Sequence, residues 1–456
     1  MVKNKEVVMA FDYDLVVIGF GKGGKTLAIA ASKLGKRVAL IEESKEMYGG
    51  TCINTGCIPS KALLHMATHK KGANGYKESI EAKNKMVAIL RQRNYEALIE
   101  ARVHLIDGHA GFKDNHTLMV YYDDSCQEIS AAYIVIDTGS IPLNPPISIK
   151  SNNVYDSTSL MQLSTLPAHL VVVGGGYIGL EFASMFSSFG HHAHKTATRV
   201  SVLARGDVFL PKEDQVFQES IYKTLTQQGI EIILGADVKE IKGHRVCYSD
   251  SNKQERNLEA DAILLATGRK PNTIDLHLEK AGIKLGAHQE ILTNSFLVAN
   301  ADSEGNIYAI GDVKGGEMFT TYVSLDDYRI VFDHLYGEKK RTTLNRNVLP
   351  EVLYIETPYS HVGLRARDVQ DKPVLVKTLQ TASIPGARIL EDTSGLLQVL
   401  VEDSPRGRVL GASLHCPLSY EYINLFSLAI NQNLSFSILK DMIYTHPSML
   451  ESANMF

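Results

Sequence analysis

Two apolar strands that each run into a glycine-rich turn and a helix, and a C-terminal stretch of different pattern, predict an α/β protein. Two Rossmann-like dinucleotide-binding domains should be followed by an α+β domain. The first unit opens with "DYDLVVIG", a short apolar run of the buried-strand type, and continues directly into "GFGKGG" with Gly19, Gly21 and Gly24. "KTLAIAASKLGK" has helical spacing, and "RVALIEE" is a second strand with Glu42 at its end. In this order Gly19 makes the tight turn, Gly21 lets a pyrophosphate approach the backbone and Gly24 lets helix pack on strand. The helix N-terminus faces the phosphates, and Glu42 can hold ribose hydroxyls.

The second unit is "HLVVVGGGYIGLEFASMFSSFG", with Gly174, Gly176 and Gly179 at the same spacing. Two intact glycine sets imply two dinucleotides. A similar phrase follows each unit: "YIVIDTGSIPLNPP" carries Thr138 and Gly139, and "AILLATGRKPNT" carries Gly268. Each is an apolar strand, then Thr-Gly, then a proline, as suits a chain crossing at a strand end. A third phrase, "NIYAIGDVKGG", is a strand ending in Gly311 and Asp312, where a carboxylate can bind a sugar-like chain. From about residue 346, "LLQVLVEDSPRGRVLGASLHC" reads as an antiparallel hairpin and "EYINLFSLAINQNLSFSILKDMIYT" as helical.

Composition narrows the function. The chain has 456 residues, too many for one growing core. With 47 basic and 51 acidic residues the net charge is −4, which offers no footprint for nucleic acid. No apolar run is long enough for a membrane span or a signal peptide, so a cytoplasmic protein is expected.

Cysteine is scarce, yet Cys52 and Cys57 stand together in "GGTCINTGCIPSK". Three readings compete. Zinc needs four ligands, and no second CxxC or CxxH lies nearby. A structural disulfide is unusual in the cytoplasm. A redox pair suits the flanking glycines and the helix that starts at "CIPSKALLHMATHKK", with Pro59 tolerated in its first turn. There Cys57 lies near the helix's positive end, which stabilises a thiolate. A nicotinamide delivers two electrons as hydride, and a flavin can pass them to a disulfide, so FAD, NADPH or NADH and a thiol relay are expected together.

These motifs, with "ATGRKPN", "IYAIGD" and "THPSMLE", resemble the class I pyridine nucleotide-disulfide oxidoreductases, which include glutathione reductase, lipoamide dehydrogenase and mercuric reductase. The resemblance implies an FAD domain over 1–150, an NAD(P) domain over 151–274, a central domain over 275–345 and a dimerisation domain over 346–456. It implies that Cys57 faces the flavin and that Cys52 exchanges with substrate. Lys61 and Glu181 match an ion pair beside the flavin ring, Tyr177 the residue covering the nicotinamide pocket, and Asp312 the ligand of the ribityl chain. Gly50, Thr51, Ala110, Thr138, Gly139 and Gly311 fall at further FAD positions, and Gly268 at an NAD(P)H position. His446 and Glu451 match a base and its orienting carboxylate, which in the family serve the disulfide of the partner chain of a homodimer.

Within that family, "FTTYVSLDDYRIV" and "THPSMLES" look like the bacterial reactive-chlorine-resistance flavoproteins. That subfamily is similar to mercuric reductase but lacks its C-terminal cysteine pair, and no cysteine follows Cys416 here. The implied activity is reduction of copper(II), held transiently by Cys52 and Cys57, in defence against reactive chlorine. Alternatives are a reductase of a small organic disulfide and a non-enzymatic redox sensor or metal-holding protein.

Two departures stand out. "HHAHKTAT" separates the second unit's helix from its next strand, and a solvated surface insertion is the plainer reading against a metal site. That strand ends in "VLARGD", where Arg205 stands near the place of the acidic residue that selects NAD; arginine suits the 2′-phosphate of NADP.

Overall fold

The computed structural model describes residues 11–192, 195–196, 198–316, 318–370 and 372–456. The chain divides into two compact units. One consists of Met1–Pro59, Asn84–Leu143 and Arg269–Arg346; the other of Ser60–Lys83, Asn144–Gly268 and Asn347–Phe456.

In the first unit, Tyr13–Ile18 lies parallel between Val38–Glu42 and Cys126–Ile136. His104–Asp107 extends the sheet on one side, and His109–Phe112 and Thr117–Tyr121 add an antiparallel wing on the other. The alternation of side chains sends the central strand into two cores. Val16 and Ile18 pack with Ala39, Ile41, Ile134 and Ile136. Leu15 and Val17 pack with Leu27, Ala28 and Ala31 of the helix Lys22–Lys33. Burial on both faces explains why the strand reads as a continuous apolar run. Ile307–Ala309, almost 300 residues from the start of the sheet's first strand, also joins Cys126–Ile136 in parallel. This brings Gly311 and Asp312 to the same sheet end as Thr138 and Gly139.

In the second unit, Ile230–Ile233, Arg199–Leu203, His169–Val173, Ala262–Leu265 and Val154–Tyr155 form an all-parallel sheet. Its first crossover is the helix Tyr177–Gly190, buried at every position from Gly179 onward. The C-terminal sheet is antiparallel. The expected hairpin is Leu396–Glu402 with Val409–His415, flanked by Tyr359–Gly363 and Val374–Gln380. The expected helical stretch is two helices, Ser419–Asn431 and Phe436–Asp441.

The inserted segment carries a short antiparallel backbone pairing of His191–His192 with Lys195–Thr196; the third histidine, His194, lies outside the described residues. No helix of the described residues is long and apolar enough to cross a membrane.

Candidate active site

The two cysteines stand on separate short elements. Cys52 belongs to the helix Gly50–Asn54, entered through Gly49 with φ +95°. Cys57 opens the helix Cys57–His69, after a break at Thr55 and Gly56. The regular helix that would put the thiols on different faces is thus interrupted between them. Both are thiols, and they hydrogen-bond to each other. The hydrogen bond Cys52 donates to Cys57, then burial and the Cys57 charge, push the Cys52 thiol well above its ordinary range. Cys57 is the more exposed, and its Sγ lies 3.7 Å from Thr321 Oγ1 at the start of the helix Thr321–Tyr336. Asn54 fixes the Cys52 helix: its amide donates to the carbonyls of Tyr48 and Gly50, and Arg91 Nε donates to its oxygen at 2.9 Å.

Around the first glycine turn, Gly19 has φ +101°, and an added Cβ would strike the carbonyl of Asp137. At Gly24 a Cβ would lie 2.7 Å from Val17 Cγ1, the close helix-to-strand approach expected of this glycine. Glu42 accepts N–H bonds from Phe20 at 2.9 Å and Ser44 at 3.1 Å, while burial raises its pKa to about 7. Asp312 accepts a 2.6 Å hydrogen bond from Ser140, whose Oγ receives Arg269 Nε at 2.8 Å. The pairing of Ser140–Pro142 with Arg269–Pro271 holds this trio, so the two proline-containing phrases meet as one two-stranded sheet. Gly50 packs on Gly21, leaving 2.8 Å between an added Cβ and Gly21 Cα; Thr51 follows it in the same short helix, and Ala110 is buried in His109–Phe112.

Sequence reasoning missed Asp137, in "IVIDTGS". Its carboxylate accepts the Gly24 N–H at 2.6 Å and lies against Gly21, where a Cβ would meet it at 2.5 Å. Burial, then the charges of Asp312, Asp327 and Glu42, push this carboxyl well above the usual range, against the Gly24 hydrogen bond. A carboxyl shifted toward its neutral form repels an anion at the helix N-terminus less. The signal available was an acid at the end of an otherwise apolar strand.

Two observations test this cradle against a flavin dinucleotide. An added Cβ at Gly139 would meet nothing within 4 Å, so the loop faces open space. Thr320 Oγ1 is buried without a hydrogen-bond partner among the described residues. With Glu42 and Asp312 as acceptors for sugar hydroxyls, the donor and acceptor set fits FAD.

In the second unit Gly174 takes the tight turn, and an added Cβ at Gly179 would strike the Gly174 carbonyl. Gly176 faces open space, as a phosphate-binding loop requires. Gly268 has φ +125°. Arg205 is exposed, two residues past Arg199–Leu203, without an ion pair or hydrogen bond among the described residues. Lys61 Nζ meets Glu181 Oε2 at 2.5 Å, the other Glu181 oxygen accepts Tyr354 N–H at 3.0 Å, and the ammonium sits 4.8 Å from the Tyr354 ring centroid. Tyr177 donates its hydroxyl to Glu213 at 3.0 Å. Glu213, also missed from sequence, is buried, paired with Arg365 at 3.1 Å and hydrogen-bonded by Tyr359. Burial raises its carboxyl, but the Arg365 and tyrosine contacts outweigh this and hold it below the usual range.

His446 Nδ1 lies 2.7 Å from Glu451 Oε2, and the hydrogen bond lowers the Glu451 pKa. With the carboxylate on Nδ1, Nε2 is free for proton transfer, and the histidine side chain is 75% exposed. Among the described residues no group of three or more His, Cys, Asp or Glu could hold a metal ion.

Residues 13–327 match the family described as pyridine nucleotide-disulphide oxidoreductase, and residues 349–455 match its dimerisation domain. The chain belongs to the pyridine nucleotide-disulphide oxidoreductases. It is 44% identical over 447 residues to the probable pyridine nucleotide-disulfide oxidoreductase RclA of Escherichia coli strain K12, covering 97% of this chain and 98% of that one. It is 32% identical to a mercuric reductase of Staphylococcus aureus, covering 97% and 82%. Among solved structures it is similar to the Cu(II) complex of the HOCl-induced flavoprotein disulfide reductase RclA from Escherichia coli, with TM-score 0.91, 43% identity and 97% and 98% coverage. The cofactors of this pyridine nucleotide-disulphide oxidoreductase are accordingly FAD and NAD(P)H.

Proposed function

We propose that the protein is an NAD(P)H-dependent copper(II) reductase that acts through Cys52 and Cys57 in defence against reactive chlorine. The observation that carries this is the adjacent pair of thiols. FAD supplies the two-electron link between NAD(P)H and the disulfide. The reduced pair then gives one electron to each of two copper(II) ions. The products are a disulfide, two copper(I) ions and two protons, so charge and electrons balance. Thiolates suit this role because they stabilise copper(I), the softer ion. The Cu(II) complex of the similar E. coli protein supports the acceptor's identity.

In this reading Cys57 is the flavin-facing thiol and Cys52 the exchange thiol. Lys61 and Glu181 form the charge pair at the flavin, Asp312 and Glu42 hold FAD hydroxyls, and Arg205 holds the NADP 2′-phosphate. His446, oriented by Glu451, takes the proton released at the disulfide of the second chain of a homodimer. The chain order is an FAD domain to 150, an NAD(P) domain to 274, a central domain to 345 and a dimerisation domain thereafter.

The test is anaerobic NAD(P)H oxidation with matched acceptors. Copper(II) should accelerate it and yield chelator-trapped copper(I), with oxidised glutathione and lipoamide poor by comparison. Either disulfide outperforming copper(II) would replace this reading with that of a disulfide reductase.

A further inference from the structure

The helix Cys57–His69 buries Leu63 and Ala67 in the core of the second unit and turns His65, Thr68 and His69 outward. His65 and His69 are four residues apart, so they share one face one turn apart. Their rings touch edge-on, with centroids 4.7 Å apart.

The hydrogen bonds around the pair fix a tautomer. Thr68 Oγ1 donates its single hydrogen to the His65 carbonyl at 2.7 Å. Toward His69 Nδ1, also at 2.7 Å, the hydroxyl can therefore only accept. His69 Nδ1 carries the ring proton, and the Nε2 lone pair is left for a ligand. A neutral imidazole held at one nitrogen and open at the other is the state in which histidine binds a metal. The His65 ring nitrogens have no hydrogen-bond partner among the described residues. The nearest cation in sequence, Lys70, is engaged by Glu78 at 3.1 Å.

We propose that His65 and His69 form a surface copper(II) site, with water completing the coordination. Two imidazoles at helical i,i+4 spacing offer two nitrogen donors on one side of an ion, and among first-row divalent ions copper(II) binds such donors most tightly. Two turns back along the same helix stands Cys57. The site thus gathers the acceptor on the element that begins with the flavin-facing thiol. This delivery role rests on the proposed copper reduction; the binding site itself does not.

The test uses the FAD-loaded full chain with Cys52→Ser and Cys57→Ser, which removes thiolate copper, and copper(II) alone as probe. Equilibrium dialysis should find one fewer copper per chain after His65→Ala with His69→Ala, and electron paramagnetic resonance should lose one component with imidazole-nitrogen couplings. Thr68→Val should weaken that component several-fold and Thr68→Ser restore it. Alanine is a better helix former at these exposed positions, so folding is not at risk; retained FAD checks it. Unchanged stoichiometry and spectrum in the double variant would overturn the site. With both cysteines present, the double variant should raise the KM for copper(II) at least threefold and leave that for NAD(P)H unchanged. An unchanged copper(II) KM would overturn the delivery role. A copper signal lost as expected from a protein that does not reduce copper would overturn the proposed function and leave the site standing.

Discussion

We propose that one side chain, Arg205, carries the coenzyme preference. Its exposed guanidinium has no partner to give up among the described residues, so a 2′-phosphate gains a charge-assisted contact of roughly 1.5–3 kcal/mol. Arg205→Ala should raise the KM for NADPH about tenfold or more and leave NADH nearly unaffected; equal loss with both would assign Arg205 a general role. Glu42 gives a pH dependence. Burial raises its pKa from 4.5 to about 7 in the folded chain. Between those values the folded chain holds a proton that the unfolded chain has lost, so stability falls as pH rises, and above about pH 7 the penalty levels off. The size is about 3 kcal/mol. Chemical denaturation of the FAD-free chain should show this decline, and Glu42→Gln should flatten it.

At the scale of elements, the two glycine turns differ in what fills the space beside them. Gly24→Ala forces a methyl to 2.7 Å from Val17 Cγ1 and 2.8 Å from Asp137 Oδ2. Overpacking of this kind costs about 1–3 kcal/mol, so a lower melting temperature and weaker FAD retention are expected. Gly176→Ala meets nothing within 4 Å, so the melting temperature should hold while the KM for NAD(P)H rises severalfold. Both turns were legible in the sequence because strand, glycines and helix are consecutive. The C-terminal hairpin was legible for the same reason. What was not legible joins distant segments. Asp137 reaches Gly24 and Arg365 reaches Glu213 only after strands far apart in the chain have paired, and nothing local marks either acid as a partner. The inserted pairing at 191–196 escaped because two-residue strands have no readable period.

For the whole molecule, the dimerisation domain raises the question of which chain's base serves which disulfide. The His446–Glu451 pair is preassembled within one chain, yet the histidine side chain is largely exposed. Mixing a Cys52→Ser chain with a His446→Ala chain should form heterodimers that regain part of the activity, because one of their two sites then has both an intact thiol pair and an intact base. Heterodimers confirmed by mass but inactive would assign the base to its own chain's thiols.

The tie between Tyr177 and Glu213 bears on how this protein could be recombined with its relatives. Glu213 stands within the span assigned to NAD(P), but Tyr359 and Arg365, which hold it, come from 146 and 152 residues further along. A chimera that imports 151–274 alone would set a foreign side chain against Arg365, or leave Glu213 without it. Losing one partner of such a buried pair costs about 3–5 kcal/mol. The proposed NAD(P)H-binding segment is therefore not a cassette bounded by its nucleotide fold. Its smallest transplantable piece includes Tyr359–Gly363 and Arg365 just beyond that strand.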